Sequence, residues 1–438
     1  MKLYLFSLFF SVLAILLNIF NYDLFLKLLS ITWYIASVFI IYSAIIYSYK
    51  FKLVQFDIKK MISSVKSRSK NNISPLSSLC ITLAAKIGVG SLSGVALAIY
   101  FGGLGSMFWL FVVSIIVSVN TYIECIYGIK YRSMIFGRFV GGPSYYIEKC
   151  LGNKKLAILY SILIIVTYSI LFLSIQANTI VNTISYNEVN MNLVVLLLFI
   201  STVLIVSRGV KGIGVINKIL VPMMLLFYLA VGVIIFVVNI GDISGIFSLM
   251  IREAFNIKSI ISVFLIGMQR AIFITESGLG TSAISAASCD NDADKQGMLE
   301  VMGIHITTFL VCFTTFLIIA TSNYQEINYG NINGIEIVIN AFRYHFGSMG
   351  GIILTIITIM FAFSTIISSY FFGESSLFIL TRKKISMIIY KIIFMLVIIV
   401  SCYISPNILW NLTDYFIAIL VIINVLSLLI IYKKIINS

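Results

Sequence analysis

The sequence predicts an all-α polytopic membrane protein of about eleven to twelve transmembrane helices, two of them broken at mid-depth. Three observations lead there. Of 438 residues, 60% are hydrophobic and 11% charged, whereas a soluble domain carries roughly 25% charged residues. Apolar runs recur at the length of about 20 residues that a helix needs to cross hydrocarbon. Two of those runs are interrupted by glycine-rich polar stretches, Gly88-Val89-Gly90-Ser91-Leu92-Ser93-Gly94 and Thr275-Glu276-Ser277-Gly278-Leu279-Gly280-Thr281-Ser282.

Taken in order, the expected spans are 3–21, 28–48, 76–99, 106–128, 156–176, 191–207, 216–239, 259–288, 301–320, 349–373, 385–403 and 412–432. The first reads as a retained helix rather than a signal peptide, because only Lys2 precedes it and no small-residue cleavage site follows. The longest polar stretches, 49–75, 129–155 and 321–348, are too short for a soluble domain. Trp33, Trp109 and Trp410 fit interfacial belts.

The formal charge of +14 is read through its distribution. Placing the 49–75 loop in the cytoplasm sorts 24 of the 30 Lys and Arg residues to that side. Lys27, Arg252, Lys258 and Arg343 fall outside, and Lys86 and Arg270 lie within spans. This is the positive-inside bias; it calls for a lipid bilayer and no nucleic acid, and it puts both termini in the cytoplasm.

Six cysteines without a CxxC pair and two histidines, His305 and His345, argue against a disulfide framework or a zinc cluster. HExxH, GxSxG and P-loop patterns are absent from the sequence. No catalytic residues are expected, and the chain does not read as an enzyme. A channel needs polar faces along several helices, and the polarity here is confined to two breaks.

In hydrocarbon an unpaired backbone group costs several kcal/mol, so a broken helix persists only where its freed groups face protein, water or a ligand. Two breaks in corresponding positions of two halves point to the substrate site of a secondary transporter. Residues 76–239 and 240–438 then form two five-helix units, the second inverted because five is odd, with 1–75 as an N-terminal addition. Where a helix stops at mid-membrane, its last carbonyls suit a cation and the next half-helix's N–H groups suit a carboxylate. Gly88, Val89, Gly90 and Ser91 supply the first such end, with Ser93 a further hydroxyl; Glu276, Ser277, Gly278 and Gly280 supply the second. Glu276 either holds a ligand ammonium or organises the break.

Several stretches carry a family resemblance: Glu124-Cys125 with Lys130-Tyr131-Arg132, Gly141-Gly142-Pro143-Ser144-Tyr145-Tyr146-Ile147-Glu148-Lys149, Gln176-Ala177-Asn178, Lys218-Ile219-Leu220-Val221-Pro222, Glu276-Ser277-Gly278-Leu279-Gly280, Lys295-Gln296-Gly297 and Phe361-Ala362-Phe363-Ser364-Thr365-Ile366. In this order they resemble the alanine or glycine:cation symporters of bacteria and archaea. The resemblance implies the leucine-transporter-type five-plus-five inverted repeat, a prokaryotic plasma-membrane location, a small neutral amino acid as substrate, Na⁺ as coupling ion and no other cofactor. It also implies that Gln176 and Asn178 face the substrate, and that Ala84, Ile87, Ser364 and Thr365 hold Na⁺ through oxygen ligands. Read on their own, Gln176 and Asn178 equally suit interhelical contacts, and the two hydroxyls equally suit their own i−4 carbonyls.

The chain departs from the family pattern. Where the family's first break reads like Thr-Val-Gly-Thr-Gly-Asn, this one reads Lys86-Ile87-Gly88-Val89-Gly90-Ser91, and a family aspartate is Thr307 here. An ammonium at mid-membrane costs roughly 2.5–3.5 kcal/mol on an insertion scale, so Lys86 needs a partner. It is a candidate coupling residue: the alternative reading is a cation-independent or proton-linked carrier in which Lys86 replaces the ion.

Overall fold

The computed structural model describes residues 22–65, 74–185, 190–323, 325 and 334–436, so the expected helix 3–21 lies outside the described residues. The main helices are α1 Tyr22–Lys50, α2 Pro75–Lys86, α3 Ser93–Gly102, α4 Gly105–Lys130, α5 Lys154–Ile184, α6 Met191–Ser207 and α7 Gly209–Val238. They continue as α8 Ile260–Thr275, α9 Thr281–Ala287, α10 Ala293–Ala320, α11 Gly334–Phe346, α12 Ser348–Leu380, α13 Lys384–Ser401 and α14 Pro406–Ile436. Every expected span from 28–48 onward corresponds to a helix or a broken pair. The helices overrun the apolar windows at their ends, since polar residues at an interface continue a helix without entering hydrocarbon.

Both breaks lie in the interior. Helix α4 packs against α8, α9 and α10, while α12 packs against α5, α2 and α7, and the broken pairs sit between these two pillars. Ser74 caps α2, accepting from Ser77 N at 3.1 Å, and Pro75 occupies the first helical position, where a missing N–H costs nothing. At the periphery Leu226, Val238 and Ile257 are 71%, 76% and 92% exposed, an apolar surface that suits lipid.

Sequence reading missed helix α11 inside the polar stretch 321–348. At 13 residues it is too short to span, yet Ile335, Ile337, Val338, Ile339 and Phe342 are buried. A Cβ at Gly334 would meet Ser93 O at 2.5 Å, so the glycine lets α11 approach the start of α3. Helices α5 and α10 each contain a π-helical turn, Thr167–Phe172 and Thr307–Cys312. Such turns cluster at functional sites, and both helices reach the breaks.

One end of the bundle is knit by ion pairs. Lys60 meets Asp294 at 2.6 Å, Arg132 meets Asp290 at 3.4 Å, and Arg138 of the Ser133–Val140 hairpin meets Glu374 at 2.9 Å. Arg132 Nη1 also donates to Cys289 O at 2.6 Å. These contacts join the segments that the charge distribution assigns to the cytoplasm.

Candidate functional site

Helix α2 ends at Lys86 with Ile87 as its C-cap, and its axis meets that of the following half at 52°. Gly88 is extended and a single 3₁₀ turn, Val89–Ser91, leads into α3. Hydrogen bonds fix this turn from three sides. Gln176 Oε1, on α5, accepts from Val89 N at 3.0 Å; Ser91 Oγ donates to Lys86 O at 3.1 Å; Thr315 Oγ1, on α10, donates to Ser91 O at 2.7 Å. A Cβ on Gly88 would lie 2.4 Å from Thr365 Oγ1 and one on Gly90 2.6 Å from the Phe273 ring. Glycine is therefore required here for close approach rather than for its backbone angles.

Thr365 Oγ1 donates to Ala84 O at 2.7 Å and lies 3.0 Å from Phe361 O. Ser364 Oγ is 2.8 Å from Phe361 O and 3.5 Å from Ala84 O. Both hydroxyls thus touch their own helix, as the plain helical reading expects, and also the freed end of α2. Ile87 is buried beside them and its N–H bonds Leu83 O.

The second break is built differently. Glu276 closes α8 in the left-handed conformation at φ 53°, a region that non-glycine residues occupy mainly at functional or strained sites. Gly278 and Gly280 follow at φ 86° and 71°. Glu276 Oε2 accepts from Thr281 Oγ1 at 2.7 Å and the Tyr168 hydroxyl faces the carboxylate, while Oε1 has no hydrogen-bond partner. Ser277 Oγ donates to Val117 O at 2.5 Å and accepts from Thr121 Oγ1.

Three expectations need correction. The N–H groups of Gly278 and Gly280, expected to meet a ligand carboxylate, turn toward Glu124 of α4, whose Oε1 accepts from Asn424 Nδ2 at 2.7 Å. The Leu279 N–H is taken by Glu276 O at 3.1 Å. A Cβ at Gly278 would meet Ile40, Val421 and Val425, so this glycine lies toward α1 and α14, away from the first break. Asn178 donates to Ser401 O and Ile404 O at 3.2 and 2.8 Å and serves as an interhelical tie, two residues along α5 from a Gln176 that does reach the break. Trp33 and Trp410 are buried at 1% and 6% exposure, not in interfacial belts; Trp410 lies 5.1 Å from Phe273, which stacks on Phe172 at 4.9 Å.

Arg270 is held as a brace. It pairs with buried Asp414 and lies over the Phe273 and Trp410 rings. Lys86 is 2% exposed, and its Nζ donates to Ser282 Oγ at 2.8 Å, so the lysine ties the end of α2 to α9 across the two breaks. It is the basic group acting on each of three fully buried carboxylates, Glu124, Glu276 and Glu300. Sequence reading missed Glu300 altogether and saw Glu124 only as a matching residue. For Glu124 the available signal was a carboxylate deep in an apolar span; Glu300 follows Asp294, Lys295 and Gln296 at the polar start of α10, where a glutamate draws no notice.

Residues 20–438 match the sodium:alanine symporter family. The chain belongs to that family. It is 29% identical over 383 residues to the sodium/alanine symporter AgcS of Methanococcus maripaludis, covering 84% of each chain. It is 28% identical over 409 residues to the probable sodium/glutamine symporter GlnT of Bacillus subtilis, covering 90% of this chain and 84% of that one. The structure is similar to that of MhsT in complex with L-phenylalanine, with a TM-score of 0.59 at 17% identity over 84% of this chain and 89% of that one. The chain is thus a multi-span membrane transporter with the leucine-transporter-type fold, from a family of amino-acid:cation symporters and not of enzymes.

Proposed function

We propose that this protein is a Na⁺-coupled symporter of a small neutral amino acid, alanine or glycine, working by alternating access in a plasma membrane with both termini in the cytoplasm. The observation that carries the reading is the meeting of Ala84 O with the Ser364 and Thr365 hydroxyls at the end of a broken helix. Three hard oxygen donors beside a helix C-terminus suit Na⁺, with the Ile87 carbonyl as a further ligand. The substrate lies beside Val89, Gly90 and Ser91 with Gln176 alongside, and Glu276 Oε1 accepts from its ammonium.

Small size follows from crowding, because atoms already stand 2.4 and 2.6 Å from where a methyl on Gly88 or Gly90 would go. AgcS, named a sodium/alanine symporter, supports the same substrate, whereas the name of GlnT marks glutamine as the competing candidate. Residues 76–239 and 240–438 are the two inverted units, each opened by a broken helix. Lys86 Nζ bonds Ser282, across from the Ala84, Ser364 and Thr365 oxygens, which speaks against the lysine filling the ion's place.

Thr365→Val removes one oxygen at nearly constant volume. The Na⁺ concentration for half-maximal alanine uptake is expected to rise by roughly five- to tenfold, about 1–1.4 kcal/mol, with expression little changed. Unaltered Na⁺ dependence would mean that the hydroxyl serves only its helix.

A further inference from the structure

Two hollows meet where α6 passes into α7. The first, of about 160 Å³, is lined by Arg138 and Val140 of the hairpin, Arg208 and Lys211 at the start of α7, and Ser375 of α12. The second, of about 280 Å³, is a groove between α6 and α13. Phe199, Val203 and Val206 wall one side of it and Ile392, Met395 and Leu396 the other, and Ser207 and Lys391 complete its lining. Ser207 and Arg208 are consecutive residues, so the basic hollow and the apolar groove adjoin.

The charges of the basic hollow do not balance. Arg138 is already held by Glu374 at 2.9 Å. Arg208, Lys211 and Lys391 take part in none of the ion pairs among the described residues. Helix α7 has no side-chain cap at its N-terminus, so the N–H groups of its first turn add to the same positive field. Ser375 is 5% exposed, borders the hollow and has no hydrogen-bond partner among the described residues. A buried hydroxyl without a partner is uncommon, and this one has an O–H to give where the neighbouring free groups are basic. The Ser288 hydroxyl, on the far side, is satisfied by Ser285 O at 2.6 Å.

An anion meets all of these donors, and the adjoining groove selects which anion. A free anion has no use for six apolar side chains; a phospholipid carries a phosphate and an acyl chain on one molecule. The junction lies at the end of the bundle that the charge distribution assigns to the cytoplasm, where a membrane leaflet presents anionic lipid to basic side chains. Arg208 and Lys211 are exposed and Lys391 is half-buried, an arrangement in which long basic stems lie along apolar surface and their charged ends reach the headgroups.

We propose that this junction binds one anionic phospholipid, its phosphate held by Arg208, Lys211 and the Ser375 hydroxyl, one acyl chain in the α6–α13 groove, and Lys391 reaching the headgroup from the groove wall. The hollow is shared by the hairpin, α7 and α12, so the bound headgroup ties these three together.

Native mass spectrometry of the full-length protein, released from detergent carrying phosphatidylglycerol or phosphatidylcholine with identical chains, tests the site. Wild type is expected to retain one phosphatidylglycerol in clear preference to phosphatidylcholine. Arg208→Gln combined with Lys211→Gln is expected to weaken phosphatidylglycerol binding by roughly thirtyfold and to leave phosphatidylcholine unchanged. Lys433→Gln combined with Lys434→Gln, on the same side of the membrane but outside the junction, is expected to change neither. Val203→Trp fills the groove with every charge intact and is expected to weaken retention as well. Equal retention of the two lipids by wild type, or equal losses in the two double variants, would overturn the proposal. Inorganic phosphate separates the lipid from a free anion: if phosphate alone displaces phosphatidylglycerol and Val203→Trp binds the lipid as wild type does, the hollow is a free-anion site and the lipid assignment fails. Should the Arg208 and Lys211 double variant not fold, Ser375→Ala removes one donor and no charge; it is expected to weaken retention severalfold, and unchanged retention counts against the proposal.

Discussion

Gly88→Ala is expected to reduce amino-acid uptake to background while leaving the protein inserted and folded. The backbone at Gly88, φ −107° and ψ −163°, is open to any residue, so alanine brings no conformational strain. Its methyl, however, would stand 2.4 Å from Thr365 Oγ1 and 3.1 Å from Gln176 Oε1. Relieving that overlap costs roughly 1–3 kcal/mol in a packed interior, and the groups that yield are the proposed Na⁺ hydroxyl and the amide that holds Val89 N. One methyl therefore disturbs ion and substrate positions together. Uptake in liposomes read alongside size-exclusion behaviour checks this, and wild-type transport by Gly88→Ala would remove the first break from the site. Gly278 and Gly280 are poorer probes, because their positive φ makes any substitution a test of folding.

The second large effect is on stability. Glu124→Ala should leave the N–H groups of Gly278 and Gly280 without their buried acceptor and take one of two acceptors from the Asn424 amide, which keeps Gly278 O at 3.0 Å. Each unsatisfied buried donor costs about 1–3 kcal/mol, and total stabilities are only about 5–15 kcal/mol, so the variant is expected to unfold or aggregate in detergent well below the wild-type melting temperature. Glu124→Gln keeps one carbonyl acceptor and should lose much less. If Glu124→Ala melts with wild type, Glu124 is not the acceptor on which those N–H groups depend.

The positions of the breaks were legible because few other sequences place glycine, hydroxyl and carboxylate side chains together in the middle of an apolar span. The spans were legible because hydrocarbon imposes a length. Helix α11 was not, since its apolar face of Ile335, Val338, Ile339 and Phe342 is too short for that rule and is flanked by polar residues. Asn178 and Gln176 show where one-dimensional reading ends. Two residues apart on one helix, they point to different neighbours, and only the packing of α13 against α5 decides which meets the break. The partner of the Gly278 and Gly280 N–H groups was hidden for a similar reason: Glu124 lies more than 150 residues away in the chain, and nothing local announces the contact. Lys86 required a partner on energetic grounds, and Ser282 provides it through the second break.

The most direct test of the account is uptake of labelled alanine, glycine, glutamine and phenylalanine by liposomes containing the purified protein, with and without an inward Na⁺ gradient. The account predicts concentrative uptake of alanine or glycine that collapses when the Na⁺ gradient is removed, with little entry of the two larger amino acids. Uptake indifferent to Na⁺, or a preference for glutamine or phenylalanine over both small substrates, would contradict it.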